Sequence, residues 1–380
     1  MEIKKLNERY YDELLDLMNG VFTRKDKKPK DFAKDYPKMA ARDNEHMQKY
    51  FGGFEEGKLV ASIGVYPLET TVCGEKFLFA TTGNIATHWE HEGKGYMGKM
   101  IDRAMEALDE MHVDVARLGG LRSRYNRYGF EACGQKISFL FTQKNRTAKL
   151  PNVCTDITFS EIDEKDEVAL KSAIDFYNKN EVAVTRNLKN VYACMTTLRF
   201  KPYLAKKQGR AVGYLCVNES RSVIAEAFAE NAETFVELIC SWQQQNEVDL
   251  SFSLPPYKVE EIRVFTAVCE QVGLTSPSHF FIRNWEKVCS AFLRLKQSYC
   301  PLPQGELIIQ IKDYATIRLF VNEEGAGCER TDKAPDVVLD RLEAARYIFG
   351  PHSPINTQKA NGLAMAWFPL PLGWNGQDRL

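Results

Sequence analysis

A chain of 380 residues is too long for one ordinary hydrophobic core, so two or three domains are expected. A formal charge of −1 with 44% hydrophobic residues describes a globular protein with no net electrostatic pull toward nucleic acid or an anionic membrane surface. Ten cysteines, none in a CxxC pair, argue against a zinc ribbon or a dithiol redox motif and read as free thiols of a reducing cytoplasm.

In chain order, MEIKKLNERYYDELLDLMNGVF reads as an amphipathic helix with Leu14, Leu17, Met18, Val21 and Phe22 on one face. Its acids run throughout, unlike a signal peptide, and no apolar run approaches the roughly 20 residues that span a bilayer. Strand-rich sequence follows, KLVASIGVYPL and TTVCGEKFLFATTGNIATHW, with Cys73-Gly74-Glu75-Lys76 as the hairpin turn. Gly93, Gly95 and Gly98 then crowd the start of a helix whose apolar stripe is Tyr96, Met97, Met100, Ile101, Ala104, Met105, Leu108 and Met111. VDVARLGG reads as the next strand, ending at Gly119-Gly120; LRSRYNRYGFEACG and the strand KISFLFTQ come after it. The linker-like KNRTAKLPNVC closes a first unit over residues 1–150.

A second unit, 151–285, reads as helix, hairpin, helix and strand in EVALKSAIDFYNKN, YLAKKQGRAVGYLCVNESRSVIAEAFA, AETFVELICSWQQQ and DLSFSLP. Its order resembles that of the first unit but lacks the glycine-rich helix start. A third unit, 286–380, combines the helix EKVCSAFLRLK, the strands GELIIQIKD and ATIRLFVNEEG, and APDVVLDRLEAARYIFG. Its tail, WFPLPLGWNGQDRL, is too apolar to hang in water and is expected to be packed.

The glycine loop admits several readings. Gly93-x-Gly95-x-x-Gly98 matches GxGxxG, but that dinucleotide chemistry needs an N-terminal parallel βαβ unit, and the preceding strands read as a hairpin meander. His88, Glu90, His91 and Glu92 offer metal donors at a spacing that fits no established zinc-enzyme motif, so no metal is expected. A plain turn needs one glycine. Three within six residues, directly before a buried helix, suit a loop whose N–H groups and helix dipole receive a diphosphate.

With those residues in place, IATHWEHEGKGYMGKMIDRAMEAL resembles the acyl-CoA-binding motif of the Gcn5-related N-acetyltransferases (GNAT), R/Q-x-x-G-x-G/A between a strand and a helix. Gly95 matches the central glycine, whereas Glu92 stands where Arg or Gln is usual and Met97 where Gly or Ala is usual. The resemblance implies that the backbone of Ile85, Ala86 and Thr87 pairs with pantetheine. It also implies that Gly93, Lys94, Gly95, Tyr96, Met97 and Gly98, with Gly120 and Leu121, line the coenzyme site. Tyr125-Asn126-Arg127-Tyr128-Gly129-Phe130 is similar to the family's Y-x-x-[FY]-G-[FY], which implies that Tyr125 protonates the departing thiolate.

Over its full length the chain resembles the enhanced-intracellular-survival (Eis) type of acetyltransferase. That type has an α/β (α+β) architecture of two GNAT domains, the second degenerate, and a sterol-carrier-protein-like C-terminal domain. The last is matched by ELIIQIKDYATIRLFVNEEGAGCERTDKAPDVVLDRLEAARYIFG. By the same resemblance the terminal carboxylate, here on Leu380, acts as the base. The implied activity is direct transfer of acetyl from acetyl-CoA to an amine whose identity is left open. Self-association is implied as well, and no nucleic-acid or membrane partner. Two alternatives stay open: a longer acyl-CoA as donor, as in N-myristoyltransferases, and a non-catalytic protein that binds acetyl-CoA or an apolar ligand.

Overall fold

The computed structural model describes residues 1–353 and 361–378, which form a mixed α/β protein with four sheets. Strands β1 to β6 are Glu2–Lys5, Tyr50–Glu55, Lys58–Val72, Glu75–Thr87, Val115–Leu118 and Glu131–Cys133. Strands β7 to β11 are Lys136–Phe141, Thr158–Glu161, Val182–Val184, Lys201–Lys207 and Arg210–Val217. Strands β12 to β15 are Ile224–Ala229, Leu250–Leu254, Gln271–Thr275 and Ser278–Ile282. The last four, β16 to β19, are Gly305–Ile311, Ala315–Asn322, Gly325–Arg330 and Val337–Leu339.

The N-terminus departs from its expected helix. Glu2–Lys5 instead pairs antiparallel with β2, and the helix begins only at Tyr11. An available strand edge bonds every second amide of a four-residue stretch, which is too short to repay helix nucleation. From Tyr11 to Asp26 the expected face holds: Leu14, Leu17 and Met18 are buried, with Val21 and Phe22 packed beside them. The Cys73-Gly74 turn also forms, joining β3 to β4 in a long hairpin.

The first sheet runs in the order β1-β2-β3-β4-β5-β15-β6, with β9 added at the far end of β3. Its sixth position is taken by β15, which arrives from 145 residues beyond β6 in the sequence (278 against 133) and inserts antiparallel between β5 and β6. Strand β7 leaves in exchange. It crosses to a different sheet and lies between β13 and β14. Side-chain alternation makes both insertions favourable: Phe280 and Ile282 face one core and Phe281 the other, while Phe139 and Phe141 enter the core around the helix Ala232–Asn246. The remaining sheets are β12-β11-β10-β8 and β18-β17-β16-β19.

On one face of the first sheet lies the helix Tyr96–Glu110, which buries Tyr96, Met100, Ile101, Ala104, Ala107 and Leu108. Each larger apolar side chain there contributes roughly 1.5–3 kcal/mol. On the other face, Phe79, Val115 and Phe280 share a continuous core with the helix Trp285–Tyr299, the fourth sheet and the tail. Trp367, Phe368, Leu370, Leu372 and Trp374 are buried, as their composition required. Trp374 packs tilted against Phe79 at 5.0 Å and edge-on to Phe280 at 5.3 Å, measured between ring centroids. Among the described residues no helix is long and apolar enough to cross a membrane.

Candidate active site

Strands β4 and β5 run parallel but pair only from Phe79–Thr82 to Val115–Leu118. Beyond that point they part, and residues 83–87 of β4 have no β5 partner. The opening coincides with a bulge. Ser62 pairs with Ala86 and Gly64 with Gly83, so two residues of β4 oppose one of β3. Asn84 takes φ +52° there, and its Nδ2 donates to the hydroxyls of Tyr50 at 2.9 Å and Tyr66 at 3.4 Å. Ser62 Oγ donates to the Asn84 carbonyl oxygen at 3.2 Å. Burial pushes the Tyr50 phenol up to about 12 and raises that of Tyr66 as well, so both keep their protons. The cleft therefore opens where a bulge is held by side chains on the face away from the helix.

The glycine loop follows β4 and leads into the helix Tyr96–Glu110. Gly93 and Gly95 have φ of +79° and +75°, and Gly95 is the N-cap of the helix Tyr96–Glu110. A Cβ built on either glycine meets nothing within 4 Å, so the requirement is backbone conformation, with open space above the main chain. No acid lies in the first turn of the helix, which leaves its dipole free to favour an anion. Glu55, at the end of β2, organises the loop. It accepts from Tyr96 Oη at 2.6 Å and Lys94 Nζ at 3.0 Å, and lies 2.5 Å from His91 Nδ1. The Tyr96 hydrogen bond, followed by Lys94, holds the Glu55 carboxyl down to about 2.

After β5 ends at Leu118, a one-turn helix, Arg122–Tyr125, carries Tyr125 into the core beside that strand. The ring is 5% exposed and packs in the same core as Met100 and Leu118. It lies against Gly120, where an added Cβ would come within 2.7 Å of the ring and 3.5 Å of the hydroxyl. Burial raises the phenol above its ordinary range, Arg124 opposing. Arg122 anchors the turn through Glu131, to which it donates at 2.6 and 3.0 Å, and Arg346 of the third unit grips the same carboxylate.

Tyr96 and Tyr125 share one buried core against which Ile85 and Met97 pack, with Gly120 against the Tyr125 ring and Leu121 exposed. The side chains divide the work differently from their order in the sequence. Ala86 is buried in the core around the first helix, so only its main chain is available. Lys94 and the Tyr96 hydroxyl are turned to Glu55. Met97 packs against the helix core, which explains how a long side chain is accommodated at a position usually small. Glu92 is exposed.

Leu380 lies outside the described residues. The tail before it is firmly placed: Gln377 donates to the carbonyls of Met195 and Thr197, and Lys38 Nζ donates to the Gln377 carbonyl at 2.5 Å. Asp378 accepts from Arg186 at 2.8 Å and from Tyr177 at 2.5 Å, and Arg186 is also bidentate to Glu226 at 2.8 Å. Glu55, Asn84 and Arg186 escaped the sequence reading. Each is a lone polar residue in an ordinary strand or loop, and only its partners, 18 to 192 residues away, give it a role.

Residues 2–133 match the model of an acetyltransferase (GNAT) domain. Over the whole chain the fold is similar to Eis1 from Mycobacterium abscessus, with 16% identity, a TM-score of 0.66 and coverage of 100% of both chains. It is also similar to a GCN5-related N-acetyltransferase from Anabaena variabilis ATCC 29413, with 14% identity, TM-score 0.65 and coverage of 98% of each chain. A protein of Enterococcus faecalis V583 described as a probable N-acyltransferase gives 14% identity and TM-score 0.65, covering 97% of this chain and 96% of its own. At such identities the likeness is one of fold. No curated protein sequence matches this chain.

Proposed function

We propose, from the premise that residues 2–133 form a GNAT acetyltransferase domain, that this chain transfers an acetyl group from acetyl-CoA to an amine. One observation supports the reading: β4 and β5 part, a glycine-led helix follows β4, and the buried phenol that follows β5 packs in the same core as that helix.

Acetyl-CoA supplies an activated thioester. The amides of residues 93–98 bind its diphosphate, and the unpaired edge of residues 83–87 hydrogen-bonds its pantetheine amides. Main-chain N–H groups at the Asn84–Ile85 bulge hold the acyl oxygen as negative charge develops on it. An alkylamine has a pKa near 10.4 and arrives protonated at neutral pH, so it needs a base, a role assigned to the Leu380 carboxylate. Tyr125 completes the exchange by donating its proton to the leaving sulfur. Its raised pKa keeps that proton in place across the physiological range. The third unit, with its β18-β17-β16-β19 sheet, is read as sterol-carrier-protein-like and as the support that carries the tail toward the site.

Calorimetry with acetyl-CoA is the first test, followed by detection of free CoA thiol across a panel of amines. Absence of binding heat from the pure protein overturns the reading at its root. Tight binding with no thiol release from any amine would leave a coenzyme-binding protein rather than an enzyme.

A further inference from the structure

A second opening lies at the second α/β unit, walled also by Arg117 of β5 and by Trp374 and Gln377 of the tail. Strands β12 and β13 run parallel, like β4 and β5, but are joined by a single bridge, Val223 to Ser251. The Ser251 N–H donates to the Ser222 carbonyl oxygen at 2.9 Å as part of this bridge. Each is the end strand of its own sheet, β12 paired only to β11 and β13 only to β7. Two strand edges with unpaired N–H and C=O groups therefore face each other across a cavity of about 580 Å³.

The cavity cannot repeat the chemistry of the first. The helix after β12 starts from Asn231, in extended conformation and without glycine, and the Asn231 side chain already accepts from Thr234 N. Glu230 and Glu233 flank that helix start, which disfavours a diphosphate. What lines the opening is instead aromatic and basic. Phe139, Phe235 and Phe252 form an apolar floor continuous with the core. Arg117, Lys136, Lys179 and Lys258 are the cations around it, against the acids Glu226 and Glu261. Glu226 is neutralised by Arg186, and Lys258 is paired with Glu181 at 3.0 Å. Lys179 lies 5.3 Å from the centre of the Phe176 ring, itself on the cavity wall.

We propose that this second cleft is a docking groove for an extended peptide segment bearing acidic side chains, which adds as a strand between β12 and β13. Main-chain bonds to the two open edges supply affinity, and side-chain alternation supplies selectivity. One set of side chains meets the Phe139–Phe252 floor and the other meets Lys179, the exposed cation of the wall. As the segment flanking an acceptor amine, such a peptide would serve the acyl transfer proposed above. Its binding is measured without any acyl donor, so the failure of either reading leaves the other standing.

The probe is a fluorescein-labelled, end-blocked octapeptide of alternating valine and aspartate, followed by fluorescence polarisation with the full chain. Saturable binding is expected, and methylation of alternate peptide nitrogens should weaken it at least about tenfold by removing the edge hydrogen bonds. Lys179→Glu, at an exposed position, should weaken it roughly threefold to tenfold with an unchanged thermal melt. Acetyl-CoA at saturation should not displace the peptide. The proposal is overturned by no saturation at millimolar peptide, by equal binding of the N-methylated peptide, or by displacement with acetyl-CoA.

Discussion

Gly95 shows how much of this site is decided by one residue's backbone. At φ +75° an L side chain is strained by about 1–2 kcal/mol, although nothing stands in its way. Gly95→Ala should therefore fold with a slightly lowered Tm and lose acetyl-CoA affinity as the loop relaxes, which calorimetry and thermal melting read separately. Tyr125→Phe keeps the ring that fills the space beside Gly120 and removes only the proton. Turnover should fall by roughly 10²–10⁴ while KM for acetyl-CoA stays within a few-fold, measured by thiol release. Because burial raises this phenol, the activity it supports persists at neutral pH and is lost only as pH rises above the ordinary tyrosine value near 10. Glu55 behaves in the opposite sense. Its depressed pKa, about 2, keeps the clamp on Tyr96 and Lys94 intact above the usual carboxylate range, and it fails only as pH falls from there toward 2. Coenzyme affinity should show no inflection from Glu55 between pH 5 and 8, whereas Glu55→Gln should raise KM for acetyl-CoA a few-fold.

At the scale of elements, the exchange of β7 and β15 ties the first two units together. The first sheet has a gap between β5 and β6 until residues 278–282 arrive, and the core there lacks Phe280, Phe281 and Ile282. A fragment of residues 1–150 should therefore show no cooperative urea transition, followed by circular dichroism, where the full chain does. The crossing point is equally constrained. Gly134, between β6 and β7, has φ +79°, donates its N–H to the Phe349 carbonyl, and would place a Cβ 2.3 Å from the Leu372 carbonyl oxygen. Gly134→Ala must push the tail at Leu372 away from the sheet. The expected loss is about 1–3 kcal/mol in an equilibrium unfolding curve.

At the scale of the whole molecule, the tail acts as a strut whose far end is ionic. Arg186 is fully buried between Glu226 and Asp378, joining the second unit to the tail, while Lys38 of the first unit holds the adjoining carbonyl. Removing the guanidinium would strand two buried carboxylates. Arg186→Met should cost about 3–5 kcal/mol, far more than breaking an exposed pair such as Lys171–Glu167. Comparing the urea midpoints of Arg186→Met and Lys171→Met checks this directly. The docked tail fixes the position of residue 378.

The amino-acid order alone determined what depends on near neighbours. The amphipathic stripe after Tyr96, the Cys73-Gly74 turn, the glycine-led loop and the apolar tail were all legible, because periodicity, positive-φ demand and hydrophobicity are local properties. The stretch Glu2–Lys5 was misread as helix, since its strand conformation comes from the edge of β2, 50 residues on. Only the tertiary structure decided that β7 and β15 trade sheets, that Glu55 governs the loop, and that Arg186 meets both Glu226 and Asp378. Those outcomes depend on hydrogen bonds and charge pairs between residues far apart in the chain. No spacing rule records such contacts, because the free energy of each resides in a partner that folding alone brings near.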